Sequence, residues 1–190
     1  MNLCYHLFVD TCNKYCYVAL YNTTKKIDEI KLITNKNVTD LITISIKKLI
    51  TKNKVKFEKI GAIYLNIGPG SFTGEKVGVV ICKAWSIVFP KIKIYTINSL
   101  YLQAITLPAI SIIGAKSNKY YLAIYDLKKT IIKPCLVDQK TKNNLVKKYK
   151  NFNYYFENFG NGYNSFLQKK NKFKLTNIDK LEPLYLKNPI

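Results

Sequence analysis

The sequence predicts an α/β protein organised in two lobes. Three observations support this prediction: short β-rich runs open the chain, two apolar helical segments alternate with strands after residue 37, and new short strands follow residue 98. Strands joined through helices lie parallel in one sheet, because a tight hairpin joins only antiparallel neighbours. We therefore expect a first lobe with a partly parallel sheet in residues 1–100 and a smaller second lobe in residues 101–190.

The first lobe has the clearer pattern. Its opening runs are separated by turn residues and predict a three-stranded meander of LCYHLFVD, YCYVALYN and IDEIKLI. Apolar residues recur every three or four positions from Asn37 to Lys54, which predicts an amphipathic helix. A short apolar strand over residues 60–66, a helix over residues 71–89 and a strand over residues 91–97 complete this lobe.

The second lobe is more polar. Three further β-rich runs, over residues 110–115, 120–125 and 131–137, predict short strands, and the lysine-rich residues 139–150 predict a helix. The rest of the chain contains the turn sequence GNGYNSF and one short apolar stretch near the end. We therefore expect little core in this last part of the chain.

The composition is that of a folded protein with a strong positive charge. Of the 190 residues, 48% are hydrophobic and 22% are charged, which excludes a disordered chain. The net charge of +20 is typical of proteins that contact nucleic acid. Every basic residue is lysine, however, and the abundance of Asn, Ile and Tyr is that of an AT-rich genome. Because arginine is the residue that binds phosphate bidentately, its absence indicates that part of the charge is compositional.

Cysteine and histidine usage predicts a cytoplasmic protein without a metal site. The five cysteines form no CxxC pair and are odd in number, so we expect reduced thiols. The opening MNLCYHLFVD lacks a basic leader, and no apolar run reaches the roughly 18 residues of a membrane span. His6 is the only histidine, and one histidine leaves too few ligands for a His-rich metal site.

The motif GPGSFTG closes one strand and opens the following helix. Its marked residues are Gly68, Pro69, Gly70, Ser71 and Thr73. The glycines and the proline suit a tight turn, and either hydroxyl could cap the helix. Two interpretations are open: the free amides of the loop bind an anion, or the loop only makes a strand-to-helix turn. Glu75 follows the motif and would repel a phosphate, which favours the second interpretation.

The helix behind the motif is apolar nearly all round. Gly74, Gly78, Cys82 and Ser86 recur every four residues and form a stripe of small side chains, while valines and isoleucines cover most other positions. A helix of this kind is buried on more than one side, and small residues allow another element to approach closely. Its second covering surface is either part of this chain or part of a partner.

Six segments occur in the order of a known family: FVDTCNKYCYVALYN, GPGSFTGEKVGVVICKAW, TINSLYLQA, GAKSNKYYLAIYD, GNGY and EPLYLKNP. They resemble the bacterial TsaB family over essentially the whole chain. The resemblance implies an actin-like (ASKHA) fold of two ribonuclease-H-like lobes, of which the C-terminal lobe is reduced. It also implies a role in the synthesis of N6-threonylcarbamoyladenosine at position 37 of tRNAs that decode ANN codons.

The resemblance implies a scaffold subunit without catalytic residues of its own. Family members pair with the catalytic paralogue TsaD through the first two helices of the N-terminal lobe, and the ATPase TsaE joins them. We therefore expect a TsaD heterodimer, a ternary complex with TsaE, a homodimer when the chain is alone, and tRNA contact mainly through the complex. ATP and metal are expected on the partner subunits and no cofactor on this chain alone. The expected partner surface comprises Leu41, Ile42, Ser45, Leu49, Gly74, Gly78, Cys82 and Trp85.

The sequence departs from the expected patterns at several positions. The turn Asp10-Thr11-Cys12-Asn13 lacks the glycine with which actin-like phosphotransferases reach a phosphate, which agrees with a non-catalytic role. Glu75-Lys76 stands where Leu-Arg is usual, and Gly114-Ala115-Lys116 where Asp-Ala-Arg is usual. Lysine cannot reproduce the bidentate contacts of arginine, so contacts that family members make through these arginines are not carried over to this chain.

Three alternative functions compete with the scaffold. The first is an ATPase or kinase of the actin fold. The second is a peptidase, which would need a nucleophile beside His6, and the sequence has no motif for one. The third is a lysine-rich tRNA-binding module, for which Lys140–Lys150 and Lys169–Lys174 are the candidate segments.

Overall fold

A computed structural model of the protein describes residues 5–34 and 37–186. Cys4 and the last residues of the EPLYLKNP segment lie outside the described residues. The first half of the chain forms β1 (Tyr5–Asp10), β2 (Tyr15–Tyr21), β3 (Lys26–Ile33), α1 (Val38–Lys52), β4 (Ile60–Asn66), α2 (Phe72–Val88) and β5 (Lys93–Ile97). The second half forms α3 (Ser99–Gln103), β6 (Ala109–Gly114), β7 (Lys119–Tyr125), β8 (Thr130–Asp138), α4 (Gln139–Lys148), β9 (Asn153–Phe156), α5 (Phe159–Asn164), α6 (Phe166–Lys169) and β10 (Lys174–Leu175).

The first unit is built on a six-stranded mixed sheet with the strand order β10-β5-β4-β1-β2-β3. β1 pairs with β4 and β4 with β5 in parallel, whereas the β1-β2-β3 meander is antiparallel. The parallel pairs are the ones whose connections contain α1 or α2, as the crossover rule requires. The α/β class, the opening meander and the partly parallel sheet predicted from the sequence are therefore confirmed.

The core of this unit lies between the sheet and the two long helices. Alternate residues of the strands, such as Leu7 and Val9 of β1, point toward α1 and α2 because side chains alternate along a strand. Ile42 and Leu49 of α1 and Cys82 of α2 meet them and are fully buried. Burying one such aliphatic side chain contributes about 1.5–3 kcal/mol, so this layer provides most of the hydrophobic stabilisation of the unit.

The last part of the chain returns to the first unit. The structure divides into one unit that ends at Ile97 and resumes over Lys170–Leu184, and a second over Asn98–Lys169 that resumes at Tyr185. From the sequence we expect residues 101–190 to lie together in the second lobe, and the segment 170–184 departs from that expectation. The reason is that β10 pairs with β5 and that the side chains of Phe173 and Leu181 are buried in the first unit.

Phe173 anchors this returning segment on the sheet. Its ring packs edge to face on Phe8 at 5.9 Å and on Tyr64 at 5.2 Å between centroids. Phe8 in turn packs on Tyr17 at 5.6 Å, so one sheet face is aromatic and the other, toward α1 and α2, is aliphatic. Aromatic pairs of this geometry contribute about 0.5–1.5 kcal/mol each beyond their buried area.

The second unit has a four-stranded sheet with the order β8-β7-β6-β9, in which β6 and β9 are parallel. α4 covers it because Leu145, Val146 and Tyr149 pack on a small cluster of buried isoleucines and leucines from β6 and β7. The predicted strands and the lysine-rich helix of this lobe are present. The sequence GNGY, expected as a turn, instead lies in α5, where Phe159 and Tyr163 are buried.

Two short helices, α3 and α6, meet through a buried lysine. Lys169 is 7% exposed, and its Nζ donates to the carbonyl oxygens of Tyr101 (2.9 Å), Leu102 (3.0 Å) and Ala104 (2.5 Å). These carbonyls lie at the C-terminal end of α3, where a helix leaves its acceptors without intrahelical donors. Lys169 therefore caps α3.

Within the part of the chain that the structure describes, no helix has the length and apolarity that a membrane span requires.

Candidate functional site

The glycine motif wraps around the chain's own β1–β2 turn. The amide of Ser71 donates to the carbonyl of Cys12 at 2.5 Å, and the Oγ1 of Thr11 donates to the carbonyl of Gly74 at 2.6 Å. A Cβ atom on Gly70 would overlap the Cys12 carbonyl, and one on Gly74 would overlap the Thr11 carbonyl. Both glycines are therefore required by a close approach of two backbones within one chain.

The remaining motif residues shape the turn into α2. Ser71 is the N-cap, because its Oγ accepts from the amide of Gly74 at 3.4 Å, whereas Thr73 lies inside the first turn and is exposed. Of the two hydroxyls expected to cap the helix, Ser71 is the one that does so. Gly68 has a φ of +100°, which glycine adopts without strain, and Pro69 follows it in a buried position.

Glu75 fills the inside of the motif. Its side chain is only 3% exposed, and its Oε1 accepts from the amide of Gly70 at 2.5 Å. A Cβ atom on Gly68 would lie 2.7 Å from the same carboxylate. We expected Glu75 to repel a phosphate; in the structure it also occupies the place an anion would take. The geometry therefore supports the interpretation of the motif as a strand-to-helix turn.

Removing the Glu75 carboxylate is expected to destabilise the fold. In Glu75→Ala the half-buried amide of Gly70 loses its charged acceptor, which costs about 1–3 kcal/mol in the free energy of unfolding. Glu75→Gln keeps an acceptor oxygen and the side-chain volume, so it should cost less. Urea denaturation of the purified variants measures both values. Equal stability of Glu75→Ala and the wild type would contradict the role given to this carboxylate.

The turn after β1 is closed by its own side chains. Asp10 is fully buried, and its carboxylate accepts from the amide of Cys12 at 2.8 Å and from the side-chain amide of Asn13 at 2.9 Å. The Sγ of Cys12 donates to the carbonyl of Asn66 at 3.1 Å. This turn does not fit a nucleotide phosphate, because its Cys12 amide already serves a carboxylate that would repel one.

The thiols near this turn are not activated nucleophiles. Burial raises the pKa of Cys12 well above its ordinary value and raises the pKa of Cys16 to about 11 and that of Cys82 to about 12. A thiol with such a pKa stays protonated at neutral pH. Among residues 5–34 and 37–186, no group of three or more His, Cys, Asp or Glu side chains is placed to hold a metal ion.

The expected partner surface lies largely in the chain's own core, which corrects our assignment. Six of its eight residues are buried within this chain, namely Ile42, Ser45, Leu49, Gly74, Gly78 and Cys82. A Cβ atom on Gly78 would lie 2.8 Å from Thr11 Oγ1 and 3.0 Å from Leu65 Cδ1. The stripe of small residues thus packs on β1 and β4, because it lets α2 approach the sheet closely. Leu41 and Trp85 are half-buried at the edge of the same core, with Trp85 against Phe57 at 4.8 Å.

The opposite faces of the two helices carry exposed apolar side chains. Ile44 of α1 is 61% exposed, and on α2 Val80 is 62%, Ile87 78% and Val88 66% exposed. We call these four residues the outer helix face. The spacing of Val80, Ile87 and Val88 by seven and eight residues places them on one side of α2. The all-round apolarity of α2 predicts such a surface, but the exposed apolar side chains lie on the side away from the small-residue stripe.

Lysines border the outer helix face. Lys47 and Lys48 are exposed on α1, and Lys76 is exposed near the start of α2 with its Nζ 4.3 Å from the centroid of the Phe72 ring. Lys83 is half-buried on α2. A partner that covers this face would therefore carry apolar side chains with acidic residues around them.

Comparisons with known proteins agree with the fold. Residues 32–151 match the family model described as TsaD, tRNA N6-adenosine threonylcarbamoyltransferase. The chain is 34% identical to the uncharacterized protein MG208 homolog of Mycoplasma pneumoniae and 31% identical to the uncharacterized protein MG208 of Mycoplasma genitalium. Each alignment covers 98% of this chain and 96% of the relative.

Solved structures with low sequence identity share the fold of this chain. YeaZ from Pseudomonas aeruginosa superposes with a TM-score of 0.73 at 13% identity, over 97% of this chain and 100% of that one. A structure described as an uncharacterized protein with similarity to peptidase YEAZ from Pseudomonas aeruginosa gives a TM-score of 0.74 at 14% identity, with the same coverage. The expected actin-like fold and TsaB resemblance are confirmed. Because the family model covers well over half of the chain, the protein belongs to the tRNA N6-adenosine threonylcarbamoyltransferase family, and its fold is that of YeaZ.

Proposed function

We propose that this protein is a scaffold subunit that pairs with TsaD in the synthesis of N6-threonylcarbamoyladenosine at position 37 of tRNAs that decode ANN codons. The observation that carries the proposal is the outer helix face, which the chain's own core leaves exposed on both α1 and α2. TsaE joins this pair, and ATP and metal are held by the partner subunits. The closed turn after β1 supports a role without catalysis by this chain alone.

The outer helix face suits a helical partner. α1 and α2 contact each other and cover the same sheet face, so their outward sides form one surface on which two helices of a partner can pack. Each apolar side chain that becomes fully buried there contributes about 1.5–3 kcal/mol. An uncovered surface of this kind also favours self-association, so we expect a homodimer through the same face when TsaD is absent.

A charge placed in the outer helix face is expected to abolish pairing. Val80→Glu and Ile87→Glu put a carboxylate where an apolar contact is proposed, and each should weaken binding to the cognate TsaD by at least about 100-fold. Both positions are exposed in the single chain, so the melting temperature should stay within a few degrees of the wild type. Co-purification and titration calorimetry measure the pairing.

Leu127→Glu is the matched control for these variants. Leu127 is 73% exposed in the second unit, and the substitution changes the net charge by the same amount. It should leave TsaD binding unchanged. Pairing of wild-type strength in both Val80→Glu and Ile87→Glu would refute the proposed surface, and loss of pairing in Leu127→Glu would show an effect of charge alone.

A further inference from the structure

The lysines of the second unit gather at one end of its sheet. Lys119, at the start of β7, pairs in register with Asp138, at the end of β8. Asp138 is also the N-cap of α4, so Lys140 and Lys142 of the first turn of α4 follow at the same end. The turn that carries Lys116 closes there too, because the amide of Ala115 donates to the carbonyl of Lys119 at 2.9 Å.

α4 extends this positive charge along its outer side. Its inner side is held by Leu145 and Val146, which pack on the sheet, and Lys140 and Lys147 are exposed on the helix. Residues 139–150 contain five lysines and no acidic residue. The nearest carboxylate, that of Asp138, accepts from the amide of Thr141 at 2.7 Å, and its pKa is lowered mainly by this cap interaction.

The acidic side chains of this unit are too few to neutralise its lysines. The ion pairs Lys26–Glu29 and Lys52–Asp28 both lie in the first unit. Residues 98–169 contain eleven lysines against three acidic residues, a net charge of +8. An aromatic ring accompanies the charge, since Lys142 Nζ lies 4.1 Å from the centroid of Tyr120. Unpaired lysines beside an aromatic side chain are the composition of a surface that binds a phosphate backbone.

The structure separates the two lysine-rich segments that the sequence offered as candidates. In the segment 169–174, Lys169 is buried against three carbonyls, and Lys170 Nζ lies 5.5 Å from the centroid of Tyr64 in the first unit. That segment is therefore partly used for packing. The segment 140–150 keeps most of its lysines exposed on a helix whose other side is anchored.

We propose that the α4 surface, formed by Lys116, Lys119, Lys140, Lys142 and Lys147, binds the phosphate backbone of RNA. Lysine ammonium groups act as point charges, so this surface recognises the charge and spacing of phosphates and does not read bases. The inference goes beyond pairing with TsaD, because it concerns a different unit of the chain and needs no partner.

The test is fluorescence anisotropy of the full chain with an unmodified tRNA transcript across a salt series. The α4 variant carries Lys→Gln at the five positions of the α4 surface. The control variant carries Lys→Gln at five exposed lysines of the first unit, Lys25, Lys56, Lys91, Lys93 and Lys174, and so has the same net charge. Melting curves verify that both variants are folded, and Lys140→Gln with Lys147→Gln is a milder variant of the helix alone.

The α4 variant is expected to bind at least about tenfold more weakly, and the control less than threefold. With about five phosphate contacts, log K of the wild type should fall against log salt with a slope of about −3.5 to −4.5, and the α4 variant should lose most of that slope. Equal weakening of both variants would overturn the proposal, as would binding of phosphatidylserine vesicles without binding of the transcript. The α4 variant should still co-purify with TsaD, and Val80→Glu should still bind RNA, so the two proposals fail independently.

Discussion

Gly74→Ala is expected to lower the free energy of unfolding by about 3 kcal/mol or more, or to prevent soluble expression. The added Cβ atom would overlap the carbonyl oxygen of Thr11, which belongs to the backbone of the β1–β2 turn. A backbone group at the end of a buried strand cannot move aside as a side chain can, so the overpacking exceeds the usual range of about 1–3 kcal/mol. Thermal and urea denaturation of the purified chain measure the loss.

Gly78→Ala, one helical turn later, is the matched control. Its Cβ atom would meet Thr11 Oγ1 at 2.8 Å and Leu65 Cδ1 at 3.0 Å, which are side-chain atoms and not a backbone carbonyl, and a shift of Thr11 Oγ1 lengthens its hydrogen bond to the carbonyl of Gly74. Alanine also gains about 1 kcal/mol in helix propensity over glycine, which offsets part of this cost, so the net loss of stability should be much smaller than that of Gly74→Ala. Gly78→Leu, by contrast, should lower the melting temperature because the stripe faces the chain's own sheet. Stability of Gly74→Ala equal to that of Gly78→Ala would contradict the close approach of the two backbones.

We also expect the stability of the fold to depend on pH through the titration of Lys169. Burial lowers the pKa of Lys169 from its ordinary value of 10.5 to about 8. Between these two values the unfolded chain binds the proton and the folded chain does not, so the contribution of Lys169 to stability rises with pH. It should rise by about 3 kcal/mol between pH 8 and 10.5, since one pKa unit corresponds to about 1.4 kcal/mol.

Comparison with Lys169→Met isolates this contribution. Tyr21, whose pKa burial raises to about 12, titrates in both proteins and cancels in the difference. The stability of the wild type relative to Lys169→Met should therefore increase from pH 8 to pH 10.5 in urea denaturation experiments. A difference between wild type and Lys169→Met that is constant over this range would refute the assignment.

The sequence determined the local structure of the longer elements. The period of apolar residues predicted α1 and α2 to within two residues at each end, and the strand over residues 60–66 was predicted with its observed bounds. Helical crossovers predicted the parallel pairs of the first sheet, and the motif at residues 68–74 predicted the tight turn into α2. These features depend on the spacing of apolar residues and on the turn residues within a short stretch of chain. Both can be read directly from the sequence.

Short elements and long-range pairings were not predictable in this way. The strand β10 has two residues, and only its register with Thr96 and Tyr95 makes it a strand. The segment GNGY joined a helix because Phe159 and Tyr163 are buried on either side of its glycines. Elements of this length carry too few periodic positions to predict a structure, so tertiary contacts decide it.

The orientation of the helices depends on tertiary packing and does not follow from the local sequence. A helix that is apolar nearly all round has two faces suited to burial, and its sequence does not say which face meets the sheet. Packing distance decided it: the side with Gly74 and Gly78 allows α2 to lie on Thr11, which leaves Val80 and Ile87 outward. Glu75 is a second example. The local sequence around it is equally consistent with a side chain that turns into its own loop and with one that points outward and repels a phosphate. The side chain turns into the loop because the amide of Gly70, five residues away, donates to it. Burial of the Glu75 carboxylate strengthens this hydrogen bond.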